Sequence, residues 1–418
     1  MDLKSYTDRL ARQASSAARS LSSASTAAKN LALLKLCEKI SASRDFLVKE
    51  NEKDLKAARQ AKLSSAFIDR LRLNESRIQD LMEATKAVAE LTDPVGEIIA
   101  GYTRPNGLRV QKVRVPLGVI FFIYESRPNV TVDAAALCLK SSNAVILRGG
   151  SEAINSNLAL HKLIKEAVKE AGLPEDSVQM VETTDRAAVG LFLKKAGEID
   201  LVIPRGGKGL IERIARESKI PVIKHFEGVC HTYVDKRADL ALAEKVSFNA
   251  KVGRPGVCNA METLLVHEKM ARRFLPGMAK RFQTAGVELR GCPKTCKILP
   301  GIKRATKADW TTEYLDLILS VRVVSSLDEA IEHIQKYGSA HSDAIITTDL
   351  TAAEKFVKEV DSSAVFVNAS TRFNDGGEFG LGAEIGISTD KLHARGPMGL
   401  AELTSYKWVV YGQGQIRE

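Results

Sequence analysis

The apolar positions of this chain follow two rhythms, and the change between them divides it. Over residues 1–92 they recur at helical spacing with few Gly or Pro, and the stretch closes at Asp93-Pro94, which predicts a layer of helices. Residues 9–29 are rich in Arg, Ser and Ala and free of acids, as transit peptides are, but the same spacing runs on through Leu31, Leu34 and Ile40. They are read as the opening of the helical layer. Further on, Leu108, Val110, Val113 and Val115 are interleaved with Arg and Lys, the pattern of an edge strand or hairpin arm. Such arms pair with another sheet or subunit.

From Pro116 the rhythm alternates. Apolar, strand-like runs lie at 118–123, 144–147, 178–181, 201–203 and 221–223, with helical spacing at 133–140, 152–171, 187–195 and 209–217. Strands separated by crossover helices give a parallel, doubly wound α/β sheet, whose ligands bind at the carboxyl ends of its strands. After Gly228 a second unit opens at 232–235 and alternates again: strands at 317–324, 344–347 and 364–367, helices at 327–337 and 352–360. The glycine-dense loop 374–386 is too long for a connector and predicts a substrate lid or site wall. The strand-like end 404–411 is placed to pair with the earlier arm.

Chemistry enters at two strand ends. One runs into Arg148-Gly149-Gly150-Ser151 and the other into Arg205-Gly206-Gly207-Lys208-Gly209, each opening a helix. Glycines let backbone amides approach a phosphate, the helix amino end adds partial positive charge, and Arg or Lys adds a full one. One such turn alone is more often an ordinary glycine turn beside a solvated Arg; two at equivalent sheet positions favour phosphate binding. Neither is the Gly-x-Gly-x-x-Gly dinucleotide fingerprint. In the second unit, Cys258 stands between Gly253-Arg254-Pro255-Gly256 and the apolar Leu264-Leu265-Val266. That places its sulfur on a tight loop or the first turn of a helix, ahead of a buried strand. A helix amino end or Arg254 would stabilise a thiolate able to attack an acyl carbon. A lone Cys is more often an inert buried residue, so the surroundings must decide.

Composition narrows the field. The net charge of +10 is dispersed among many acids without basic runs, and only 6% of residues are aromatic. This speaks against a nucleic-acid partner and for a small anionic substrate or cofactor. Six cysteines without framework spacing read as reduced cytosolic thiols. The pair Cys292 and Cys296 lacks a second pair, so no metal is expected. Apolar runs such as 119–123 are too short to cross a bilayer, and no membrane anchor is read.

Several of these motifs come together in one resemblance. Pro116-Leu117-Gly118-Val119, Glu125-Ser126-Arg127-Pro128-Asn129-Val130-Thr131, both Arg-Gly-Gly turns and Arg254-Pro255-Gly256-Val257-Cys258-Asn259 resemble the aldehyde dehydrogenase superfamily. Arg395-Gly396-Pro397-Met398-Gly399-Leu400 and Thr404-Ser405-Tyr406-Lys407 complete the likeness, which is closest to its glutamate-5-semialdehyde dehydrogenase family. The resemblance implies a Rossmann-like cofactor domain (1–102 and 116–228), a related α/β catalytic domain (229–402) and a β oligomerisation arm (103–115 and 403–418). It implies Cys258 as nucleophile and Asn129 as the amide that, with the Cys258 N–H, stabilises the oxyanion. Arg148 stands where the superfamily has a Lys on the adenosine ribose, and Glu313 where a glutamate holds the nicotinamide ribose. Gly149, Gly150 and Ser151 of the first turn and Arg205, Gly206 and Gly207 of the second complete the expected NADPH/NADP site.

The expected reaction is reduction of L-glutamyl 5-phosphate by NADPH through a thioester, in the cytoplasm, by a homo-oligomer functionally coupled to glutamate 5-kinase. Arg127, Lys224 and Arg254 are the candidate substrate cations. Oxidising members of the superfamily carry a water-activating Glu about thirty residues before the Cys. Here His225 takes that place in His225-Phe226-Glu227-Gly228, which suits a reductase that must spare its thioester from water. The competing reading is an NAD-linked aldehyde-oxidising enzyme.

Overall fold

A computed structural model describes residues 2–125, 127–224 and 226–417; His225, and with it the expectation for the water base, lies outside the described residues. The helical layer comprises α1 (Leu3–Leu21), α2 (Thr26–Ala42), α3 (Arg44–Gln60), α4 (Ser65–Leu71) and α5 (Glu75–Glu90). Side chains close the helix ends: Asp2 accepts from the amides of Lys4 and Ser5 at 3.2 and 3.0 Å, and Asn74 from that of Arg77 at 3.0 Å. Asp93, at the predicted boundary, pairs with the buried Lys29 at 2.5 Å.

Two strands of the arm follow, β1 (Ile98–Thr103) and β2 (Arg109–Pro116). The first parallel unit is β3 (Val119–Tyr124), α6 (Asn129–Lys140), β4 (Ala144–Arg148), α7 (Ile154–Glu170), β5 (Val178–Met180), α8 (Ala187–Phe192), β6 (Leu201–Arg205) and α9 (Lys208–Glu217). Its sheet runs in the order β5-β4-β3-β6 with every pairing parallel. β3 is buried along its whole length, which is why its sequence is continuously apolar rather than alternating. One face packs on residues from α2, α5, α6 and α7, the other on α1 and α8. The predicted strand at 221–223 is reduced to a single bridge between Val202 and Val222; Pro221 has no N–H to extend a ladder.

The second unit contains β7 (Cys230–Val234), α10 (Leu240–Val252), β8 (Met261–His267), α11 (Glu268–Thr284), β9 (Glu288–Gly291), α12 (Pro293–Ile298) and β10 (Lys303–Arg304). It continues with β11 (Ile318–Val324), α13 (Leu327–Tyr337), β12 (Ser342–Ile346), α14 (Leu350–Glu359) and β13 (Ala364–Val367). These strands form a seven-stranded parallel sheet, β10-β9-β11-β8-β7-β12-β13, with apolar clusters on both faces. A small antiparallel pair, β14 (Gly386–Ser388) and β15 (Gly396–Met398), precedes β16 (Thr404–Tyr411). β16 returns to pair antiparallel with β2, whose other edge carries β1. The arm sheet therefore begins at Ile98, ahead of the expected 102/103 boundary. Every residue of β1 is exposed, so no buried face marks it in the sequence.

The two large sheets meet with opposite ends facing. Residues leaving the carboxyl ends of β3 and β6 face segments that enter the amino ends of β7, β8 and β11: Lys208 pairs with Glu227 at 2.9 Å, and Arg205 lies within electrostatic reach of Cys258. Among the described residues, no helix is long and apolar enough to cross a membrane.

One buried ion pair holds this junction from below. Lys251, at the end of α10, and Glu262, in β8, pair at 2.6 Å with their side chains almost wholly buried. The second Glu262 oxygen accepts from the Leu315 amide at 3.1 Å. Replacing Glu262 by Ala strands a buried ammonium, and we expect a loss of about 3–5 kcal/mol, read as a lowered urea midpoint. A midpoint within error of the parent would contradict it.

Candidate active site

Cys258 sits in the loop between α10 and β8, and the helix precedes the cysteine rather than following it. Of the two sequence alternatives, the tight loop is the one found, and the amino end of a helix begun by Cys258 is not available to its sulfur. The loop is fixed by contacts to its backbone. The Cys258 carbonyl accepts from the Cys230 thiol at 3.1 Å, and the chain at Gly228 passes so close that a Cβ there would fall well inside the van der Waals radius of the same oxygen. Glycine is the residue that fits.

The Gly228 amide in turn donates to Glu313 at 2.8 Å. Glu313 is thus hydrogen-bonded next to the Cys258 loop, and its own loop is steered by Leu315, whose φ of 52° is left-handed and whose amide is held by Glu262. Burial raises the Glu313 carboxyl above its ordinary range, against the pull of the Gly228 amide. Burial likewise pushes the partly exposed Cys258 thiol up to about 11; Arg205 opposes the rise while Glu313 and Glu384 add to it. Glu384 belongs to the 374–386 loop, which folds back on itself as its carboxylate accepts from the Gly376 amide at 2.8 Å.

Asn129 begins α6, and its side-chain amide donates to Asp133 at 2.9 Å. Burial pushes Asp133 up to about 6. The amide nitrogen carries two hydrogens, so one remains for a second acceptor.

The candidate cations fare differently. Lys224 is held by Asp390 at 3.0 Å, so its charge is already matched. Arg127 and Arg254 are exposed, and among the described residues neither is paired with a carboxylate. Glu227 is engaged by Lys208.

At the carboxyl ends of β3 and β4 lies a cleft of about 460 Å³, lined by Arg148, Gly149, Gly150 and Ser151 together with Tyr124, Arg186, Leu210 and Arg213. Arg148 is buried; it donates to the carbonyls of Gly149 and Thr184, while its Nε finds no partner among the described residues. At Gly149 a Cβ would collide with the Asn157 side-chain amide, so the strand end can only be this narrow with glycine. Cationic donors and an unmatched buried N–H make the cleft a fit for a phosphorylated dinucleotide.

Arg205, Gly206 and Gly207 do not line that cleft. The Gly207 amide donates to Glu125 at 3.1 Å, so a carboxylate of the chain itself sits at the amino end of α9. Arg186, Arg213, Cys230, Glu384 and Arg372 reach the site without having been singled out from the sequence. Arg186, Cys230 and Arg372 carry no motif of their own, whereas Arg213 follows the second glycine turn by four residues and Glu384 lies in the predicted 374–386 wall.

Two consequences can be measured. Gly228→Ala displaces the Cys258 carbonyl by a backbone clash, which should lower the melting temperature and lower kcat about 100-fold; unchanged turnover and stability would refute the close contact. Because the thiol titrates near 11, alkylation of Cys258 in the free protein should rise roughly tenfold per pH unit above neutrality. A plateau near pH 7 would show that Arg205 and Arg254 outweigh burial.

Comparison with known proteins gives the family. Residues 4–316 match the model of the aldehyde dehydrogenase family. The gamma-glutamyl phosphate reductase of Thermodesulfovibrio yellowstonii is 56% identical over 418 residues, 100% of both chains. That of Carboxydothermus hydrogenoformans is 57% identical over 408 residues, 98% of each. The crystal structure of gamma-glutamyl phosphate reductase from Thermotoga maritima superposes with a TM-score of 0.97 at 50% identity, covering 99% of this chain and 100% of that one. With the sequence and the fold in common along the whole length, the chain belongs to the aldehyde dehydrogenase family and, within it, to the gamma-glutamyl phosphate reductases.

Proposed function

We propose that this chain reduces L-glutamyl 5-phosphate to L-glutamate 5-semialdehyde and phosphate with NADPH, through a thioester on Cys258, as the second step of proline biosynthesis from glutamate. The observation that carries the reading is the full-length match to gamma-glutamyl phosphate reductases, together with a cysteine at the junction of the two sheets.

The Cys258 thiolate attacks the acyl carbon: a carbon–sulfur bond forms, the carbon–oxygen bond to phosphate breaks, and phosphate leaves with that electron pair. The Cys258 amide and the remaining Asn129 N–H bond the oxyanion, a contact worth roughly 3–4 kcal/mol in comparable sites. Arg148, Gly149, Gly150 and Ser151 would hold the adenosine side of the dinucleotide and Glu313 the nicotinamide ribose; Arg205, Gly206 and Gly207 would close the site between them. When bound, the reduced nicotinamide supplies hydride. Arg127 and Arg254 meet the substrate's anionic groups, with Lys224 a weaker candidate since Asp390 already neutralises it. Glu227 is paired through one carboxylate oxygen with Lys208 at 2.9 Å.

The chain acts in the cytoplasm as a homo-oligomer. Ile98, Ile99, Tyr102, Tyr406, Trp408 and Tyr411 are exposed on the arm, and a second copy would cover them. Acyl phosphates hydrolyse readily, so functional coupling to the glutamate 5-kinase that makes this one is advantageous.

Purified protein given glutamate semialdehyde and NADP should reduce NADP only when inorganic phosphate is added. Cys258→Ala should abolish this while leaving the dissociation constant for NADPH within about threefold, since the thiol lies outside the Arg148 cleft. Turnover indifferent to phosphate would instead indicate an aldehyde-oxidising dehydrogenase.

A further inference from the structure

A short 3-10 turn, Thr371–Phe373, is clamped onto the residue that follows the nucleophile. The Asn259 side-chain amide donates to the carbonyls of Arg372 and Asn374 at 3.3 and 3.0 Å, and Thr371 donates to the Asn259 carbonyl at 2.7 Å. The Arg372 guanidinium closes the loop by donating through Nη1 to the Asn259 side-chain oxygen. Its position relative to the Cys258 loop is therefore set by four hydrogen bonds, with backbone and side chain both engaged.

The charge it brings is not matched. Among the described residues its Nε and Nη2 make no hydrogen bond, and no carboxylate pairs with it; Asp375 and Glu378 are near but unpaired with it. Arg254 and Cys258 both lie within its electrostatic reach. Burial and the Arg254 charge act against its protonated form, while Asp375 and Glu378 act for it without pairing with it, so two guanidiniums stand near each other with no carboxylate bonded between them. An anion between them would be attracted by both.

We propose that Arg372, acting with Arg254, is the receptor for the phosphoryl group of the substrate, and for inorganic phosphate in the reverse direction. This rests on the reaction proposed above. Sulfur must come within about 3–3.5 Å of the acyl carbon to react, and the phosphoryl group is bonded through one oxygen to that same carbon. It must lie beside the Cys258 loop, where Arg372 is fixed. The α-carboxylate is at the far end of the glutamyl chain. The free edge of Arg372, Nε and Nη2, also has the fork geometry that phosphate accepts bidentately.

The test measures NADP reduction with semialdehyde and inorganic phosphate varied separately. Arg372→Gln should raise the KM for phosphate roughly 10–100-fold, the loss expected for charge-assisted hydrogen bonds, with the KM for semialdehyde within about twofold. Arg372→Lys, which keeps the charge but loses the fork, should fall between. Arg254→Gln, at an exposed position with no bond to break, should raise the same constant and guards against misfolding of the first variant. A second readout needs no turnover: inorganic phosphate should slow alkylation of Cys258 by iodoacetamide in the parent and not in Arg372→Gln. A rise in the semialdehyde KM alone would transfer Arg372 to the carboxylate and overturn the proposal, as would phosphate protection that survives the substitution. If the parent shows no phosphate-dependent turnover, the proposed reaction fails, and the protection assay still decides whether Arg372 receives phosphate.

Discussion

The contact between the Gly228 backbone and the Cys258 carbonyl governs how the catalytic sheet presents its sulfur. With no room for a Cβ, the segment entering β7 lies directly against the loop entering β8, and the freed Gly228 amide is turned toward Glu313, which enters β11. Three connections from three adjacent parts of one sheet are thereby locked into a single unit. The buried Lys251–Glu262 pair supports it through the Leu315 amide. Sheet geometry makes this possible: parallel strands start side by side, so residues far apart in sequence arrive together at the amino edge.

Electrostatics then separates cations that stabilise the structure from cations that remain available. Lys224, Lys208 and Lys251 each have a carboxylate partner. Among the described residues Arg127, Arg254 and Arg372 do not: Arg127 and Arg372 each lie within electrostatic reach of Arg254. Arginine suits this position because its charge survives burial and repulsion that would deprotonate lysine. Two carboxylates, Glu313 and Glu384, face the same sulfur and, with burial, keep it protonated in the free protein.

The Arg148 cleft is built differently. It is shaped by glycine at a strand end and by the buried Arg148, while the second glycine turn, at Gly206 and Gly207, is closed by Glu125. Two turns alike in sequence thus have different environments, because one opens on a cleft and the other on a carboxylate carried in from β3.

Local pattern was enough to outline the two parallel units, through apolar runs that are continuous where both faces of a strand are covered, and to single out Cys258 and Arg148 as candidates through motifs confined to one loop or strand end, whereas Asn129 came only from the family resemblance. It left β1 unseen, exposed along its whole length, as well as β9 and β10, too short for any period. Nor could it rank the candidate cations, since Lys224 is matched by Asp390, 166 residues away. Arg372 was invisible for the same reason: its importance comes from Asn259, 113 residues before it. The order of residues records what each segment buries; which charges meet, and which are left unmatched, is settled when the sheets bring distant loops to one edge.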